Sequence, residues 1–263
     1  MQSENMIPCV LAAVLAATAP WAHAQYSASL APALRHASVS EYGQSGERIV
    51  HESGWLPGVG GKLAYRSGPW EAYGAATLFQ ADLDYDGQLQ NGRPYSSRTG
   101  TRMADAQLGL RYRLLANTEL VAALGIDSWQ RNIKGGGNAI GLREHTRSSR
   151  VSIGVEQAWQ IAHAGKLTAG ASLIHAAPER LRIEFSGLLD DTSLRTRSAN
   201  GVALMLRYQP EGMPSFQFGA GFDYMKVPRS AAAPVTRNGR PAGEVTQPEH
   251  VRQNLTLFVQ YKF

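Results

Sequence analysis

Cysteine is almost absent from this 263-residue chain: Cys9 is the single one. A lone Cys near the start excludes a disulfide framework, a thiolate nucleophile paired with a second thiol, and a Cys-bound zinc site. Long apolar runs are also absent. Beyond the first two dozen residues nothing approaches the ~20 consecutive apolar residues that a spanning helix requires. The sequence contains no P-loop, dinucleotide fingerprint, H-E-x-x-H or G-x-S-x-G. No ligand spacing implies a metal or a cofactor, and nothing suggests nucleic-acid binding.

What is present begins with a leader. Met6 to Pro20 is an apolar run, followed by Trp21 and then Ala22-His23-Ala24. This is an h-region with an A-x-A cleavage site, so residues 1–24 read as a signal peptide and the mature chain, 25–263, starts at Gln25. The segment before the run carries Glu4 and no Lys or Arg, which leaves both Met1 and Met6 open as start sites. Met6-Ile7-Pro8 before Cys9 make a poor lipobox. Cys9 therefore leaves with the leader, and losing Glu4 raises the formal net charge from +5 to +6.

The C-terminus carries the strongest pattern. Leu255, Leu257, Val259, Tyr261 and Phe263 fall on one face of a strand. Asn254, Thr256, Gln260 and Lys262 fall on the other, and Phe258 alone breaks the alternation. Period two means one apolar and one polar face. A chain ending so, on a terminal Phe, resembles the assembly signal of bacterial outer-membrane β-barrels. That resemblance implies the outer membrane as location, its lipid as solvent, and the outer-membrane assembly machinery as a partner.

Similar segments recur along the chain. Expected strands cover 31–43, 55–66, 70–85, 101–114, 118–133, 146–161, 167–186, 194–209, 215–227 and 250–263. Their connections alternate between short turns, such as Ser67-Gly68-Pro69 and Leu115-Ala116-Asn117, and longer polar stretches at 44–54, 86–99, 134–144, 187–193 and 229–248. Short turns on one rim and long loops on the other predict an all-β fold: a transmembrane antiparallel β-barrel of about ten strands with both termini periplasmic. Tyr112, Trp159, Tyr208, Phe216, Tyr261 and Phe263 fall near the short turns and predict an aromatic girdle there. Charged inward residues in a barrel of this size fill the lumen, which argues against a pore.

Parity assigns the faces. In the fourth strand Leu108, Leu110, Tyr112 and Leu114 oppose Asp105, Gln107, Arg111 and Arg113. Slipping it by one residue would put Arg111 and Arg113 in lipid at about 2–4 kcal/mol each near the midplane, so the register is strongly specified. In the third strand Tyr73, Phe79, Leu83 and Tyr85 oppose Leu78, Gln80, Asp82 and Asp84. Taking the aromatic face as outward predicts that Asp82 and Asp84 enter the lumen near the outer rim. Two carboxylates at i and i+2 perturb each other's protonation and can position a water. Asp82-Leu83-Asp84-Tyr85-Asp86-Gly87 also matches half of a calcium loop, but position twelve is Arg93 rather than a bidentate Glu, and an Asp-Gly turn explains it better.

A ten-stranded outer-membrane barrel with two Asp at the outer end of its third strand resembles the omptins, the outer-membrane aspartate/histidine proteases. Glu47-Arg48-Ile49-Val50-His51-Glu52-Ser53-Gly54 is a further local echo. The resemblance implies a second half-site, Asp-x-His, on the seventh strand. Here Glu184 and Ser186 take that spacing and there is no His, and Ser is no imidazole base. The catalytic set implied is Asp82, Asp84 and Glu184. The resemblance also implies lipopolysaccharide binding, for which Arg143, Arg147 and Arg150 are the candidates, since guanidinium forks suit phosphates. Arg180, Arg182, Arg195 and Arg197 read as lumen-facing, paired with Asp82, Asp84 and Glu184. Three functions are ranked: a non-proteolytic omptin-like surface or envelope protein, an omptin-type aspartate endopeptidase, and a lipid-A-modifying hydrolase.

Overall fold

The structure, a computed structural model, describes residues 25–88, 92–136 and 141–263. The expected signal peptide, 1–24, lies outside the described residues, as do 89–91 and 137–140 within two of the expected loops.

Among the described residues fourteen strands follow one another: β1 Gln25–Tyr42, β2 Arg48–Ser67, β3 Trp70–Gln88, β4 Pro94–Leu115, β5 Thr118–Ile133, β6 Leu142–Ile161 and β7 Gly165–Ala176. They continue with β8 Arg180–Glu184, β9 Thr192–Arg195, β10 Ala199–Pro210, β11 Phe216–Val227, β12 Ala233–Arg237, β13 Arg240–Val245 and β14 Glu249–Lys262. Strands β1 to β7, β10, β11 and β14 pair in that order, all antiparallel, and β14 returns to β1. The ring is a closed ten-stranded barrel, the only sheet that leaves no unpaired edge in hydrocarbon.

Parity explains why the ring closes in lipid. On the outer face Leu108, Leu124, Ile153 and Leu173 expose between 67 and 72% of their surface. This apolar band starts at the short-turn rim, where Trp70 packs at a tilt against Tyr112 (ring centroids 4.6 Å apart) and Phe216 edge-on against Tyr261 (5.2 Å). It ends at a sharp boundary: Ile126 is followed outward by Ser128, Val151 is preceded by Ser149, and Leu255 by Gln253.

The lumen is packed in charged layers. Nearest the short turns, Glu71 binds Lys62, Arg66 and Arg111 at 2.6–2.9 Å, and Glu156 bridges Arg111 and Arg207. Midway, Asp105 takes Arg35 (3.2 Å) and Asp127 takes Arg150 (2.8 Å). At the far end, buried Arg131 sits among Glu41, Glu52 and Glu144 at 2.7–2.9 Å. Between the last two layers lies an apolar plug of Leu56, Phe79, Leu83, Met103 and Trp129. The outlier Phe258 has a place here too. It faces inward directly opposite Gly219, whose missing side chain is the space its ring occupies; Tyr73 lies over Gly109 in the same way.

Three expectations need correction. First, the strands are longer than the polar loops suggested: β2 starts at Arg48 rather than 55 and β4 at Pro94 rather than 101. Above the bilayer a strand has water on its outer face, so it reads as polar yet keeps its ladder. Second, the stretches 167–186 and 194–209 are each interrupted, at 177–179 and 196–198. Third, the expected loop 229–248 contains the hairpin β12–β13, closed by Asn238-Gly239 with φ of 51° and 75°, the pair that a type I′ turn requires. Asp190 binds this turn: Asn238 N donates to Oδ1 (3.1 Å) and Gly239 N to Oδ2 (2.9 Å). The hairpin covers a small apolar cluster of Leu181, Ile183 and Leu194.

Candidate functional site

The two interruptions reverse the meaning of parity. In β7 Leu173 points outward and Ile174 inward; in β8 Leu181 and Ile183 are buried inside, so Arg180 and Arg182 point out. In β9 Leu194 is buried and Arg195 points out. The expectation that Arg180, Arg182, Arg195 and Arg197 face the lumen is therefore corrected: all four are exposed. The third strand is corrected as well. Phe79 and Leu83 are fully buried in the lumen, so Asp82 and Asp84 face outward into water.

These residues form a grid on the outer face above the apolar band, and the pairing register defines its rows. The lowest row runs Leu78, Ala104, Ser128, Arg147, Arg180, Arg195 across six strands. The next is Gln80, Arg102, Gln130, His145, Arg182. Above it lies Asp82, Gly100, Asn132, Arg143, Glu184. A groove of about 440 Å³ follows the last two rows, lined by Gln80, Asp82, Arg102, Gln130, Asn132 and Arg143.

Of the residues singled out from sequence, the grid brings together Asp82, Arg143, Arg147, Arg180, Arg182, Glu184 and Arg195. Asp84 lies one row higher, opposite Arg98. Arg150 is not among them: it turns into the lumen on Asp127, so it is no lipid-facing contact. Asp82 accepts from Lys134 Nζ at 2.7 Å, which holds its carboxyl below the usual range, and Asp84 lies 3.9 Å from Arg98 Nε. Among the described residues no imidazole is within hydrogen-bond reach of either Asp. Glu184 lies 3.4 Å from Arg143 and 3.7 Å from Arg182. All three carboxylates lie on the open outer surface, each within 4.0 Å of a cation.

Sequence reading missed two features. Arg147, Arg180 and Arg195 are directly paired neighbours, and no carboxylate lies within ion-pair distance of them or of Arg102 among the described residues. Ser128 Oγ lies 3.0 Å from His145 Nε2, and Arg147 Nε lies 3.3 Å from the same nitrogen. Burial, reinforced by Arg147 and Arg182, pushes the His145 imidazole below its usual pKa and so favours its neutral form. A second Ser–His contact, Ser40 Oγ to His51 Nδ1 at 3.1 Å, lies further from the apolar band. Neither was legible in the chain, because each joins residues on different strands.

No protein-family model matches the chain, and no curated protein matches it. Among solved structures it is similar to the outer membrane protease OmpT from Escherichia coli, with 10% identity, 91% of this chain and 96% of that chain covered, and a TM-score of 0.57. It also matches the β-domain of the Bordetella autotransporter BrkA at 11% identity, covering 91% and 100% of the two chains, with a TM-score of 0.48. At 10% identity the likeness to OmpT is one of fold, and it agrees with the closed ring, the aromatic rim and the lipid-facing band: the chain has an omptin-like outer-membrane β-barrel fold.

Proposed function

We infer that this protein is a non-proteolytic surface barrel of the outer membrane whose outward arginine rows hold the phosphates of outer-leaflet lipopolysaccharide. One observation carries this. Arg147, Arg180 and Arg195 stand side by side directly above the apolar band, with no carboxylate within ion-pair distance among the described residues. Like charges opposite one another in a ladder are destabilising, and a polyanion at that depth removes the penalty. Guanidinium forks suit phosphate oxygens, and the boundary row is where a lipid headgroup phosphate sits. Arg143 extends the cationic surface along the groove. The C-terminal strand β14, with its outward Leu257, Val259, Tyr261 and Phe263, is the segment the assembly machinery would read.

Each basic residue near an anionic surface contributes about 1 kcal/mol. Replacing Arg147, Arg180 and Arg195 together by Gln should therefore weaken binding of bis-phosphorylated lipid A by about 10²-fold. Dephosphorylated lipid A should bind wild type and variant equally. A triple variant that keeps wild-type affinity for the phosphorylated lipid rejects the assignment.

A further inference from the structure

We propose that Ser128 and His145 form a nucleophile–base pair that hydrolyses an acyl ester of the phosphorylated glycolipid held on the arginine rows. The inference deepens the preceding reading and rests on it for substrate class. Depth comes first. Ser128 is the first polar residue above Ile126 on the outer face of β5. Acyl esters of a bilayer lipid lie at this same boundary, between hydrocarbon and headgroup. The Ser40–His51 contact lies two outward positions above Trp55, about 10 Å higher for a tilted strand, in the range of the sugars rather than the esters.

Geometry comes second. Both Ser128 Oγ and Arg147 Nε approach His145 Nε2, at 3.0 and 3.3 Å. A guanidinium can only donate, so Nε2 is the unprotonated nitrogen and the proton is on Nδ1. That tautomer is the one a general base needs. Arg147 is directly opposite Ser128 in the ladder, so a fixed positive charge stands beside the carbonyl oxygen that becomes an oxyanion. The neighbouring Arg180 is available to a phosphate of the same lipid.

The chemistry balances with water as the only co-reactant. Ser128 Oγ attacks the ester carbonyl carbon as its proton passes to His145 Nε2. The bond from that carbon to the sugar oxygen breaks, and His145 returns the proton to the departing alcohol. Water then attacks the acyl-serine, giving its proton to His145. The carbon–Oγ bond breaks, Ser128 is reprotonated, and a free carboxylic acid leaves.

The test uses the folded barrel in vesicles containing lipopolysaccharide, with fatty-acid release and lipid mass followed by mass spectrometry. Wild type should release fatty acid, leaving a lipid lighter by one acyl chain. Ser128→Ala and His145→Gln should each slow release by at least about 10²-fold while phosphate-dependent binding persists. Ser40→Ala should release at the wild-type rate. A fluorophosphonate should label wild type at Ser128 and leave Ser128→Ala unlabelled. Wild type that binds the lipid through its phosphates yet releases nothing overturns the proposal and leaves the binding reading intact. Release unchanged in Ser128→Ala, or abolished in Ser40→Ala, also overturns it. Release that persists without phosphate-dependent binding upholds the pair and refutes the arginine reading instead.

Discussion

An arginine moved up strand β14 measures where lipid ends. The outward positions there are Tyr261 in the girdle, then Val259, Leu257, Leu255 and Gln253. Two residues span about 6.8 Å of strand. At a tilt of 35–45° each outward step climbs about 5 Å. Leu257 therefore stands about 10 Å above the girdle, close to the middle of an apolar band about 25 Å tall. Gln253 stands about 20 Å above it, near the upper boundary. Leu257 lies between Leu34 and Ala220, whereas Gln253 lies between Ser38 and Tyr224, so neither has a basic neighbour in its row. Leu257→Arg should cost about 2–4 kcal/mol, Leu255→Arg less, and Gln253→Arg about 0–1. The assay is equilibrium unfolding in urea with the barrel in phospholipid vesicles, where buried Trp129 reports the folded state. On a water-exposed surface all three changes would fall within about 0.5 kcal/mol of wild type. Three equal shifts would refute the lipid-facing band and remove the depth on which the Ser128 and arginine assignments depend.

Other outcomes follow from the same structure. Arg131→Met leaves Glu41, Glu52 and Glu144 buried without their cation and should cost at least about 3–5 kcal/mol in the same unfolding assay; a loss under 1 kcal/mol would mean the far layer is hydrated. Ester hydrolysis needs neutral His145, whose pKa is lowered by burial and by Arg147 and Arg182. Its rate should hold a plateau at neutral pH and fall only as pH drops below the usual imidazole value; a profile falling already at pH 7 would remove His145 as base. Outer-membrane vesicles carrying the protein should not cleave a peptide library, and cleavage abolished by Asp84→Ala would restore the endopeptidase reading. Gly109→Val places a side chain where the Tyr73 ring lies. It should destabilise the barrel by about 1–3 kcal/mol, and combining it with Tyr73→Ala should recover part of the loss.

How much of the site could be read from the chain depends on which residues one considers. Arg143 and Arg147 were legible as basic residues near an outer strand end, because they flank the point where the polar stretch 134–144 gives way to the alternating segment 146–161. The Ser128–His145 contact was not, since it joins β5 to β6 across a loop partly outside the described residues. Nor was the Arg147–Arg180–Arg195 row, which needs β8 and β9 folded back beside β6.

By itself the sequence determined which side chains share a face. Ten alternating segments, short turns on one rim and an aromatic belt follow from period two and from turn chemistry, and the closed barrel contains them, with 167–186 and 194–209 broken at 177–179 and 196–198. Only the tertiary structure decided which face is inside where both faces carry apolar residues, as in β3, and where the strands rise beyond the lipid. Within the bilayer the outer solvent is hydrocarbon, so apolar residues such as Leu108 point out and Arg111 points in. Beyond the boundary the outer solvent is water, and the rule inverts: Leu83, Leu181 and Ile183 turn inward while Asp82, Arg180 and Arg182 turn out. Alternation carries no sign of its own; the medium around each stretch of strand supplies it, and that medium is set by how high the finished barrel lifts the stretch above the lipid.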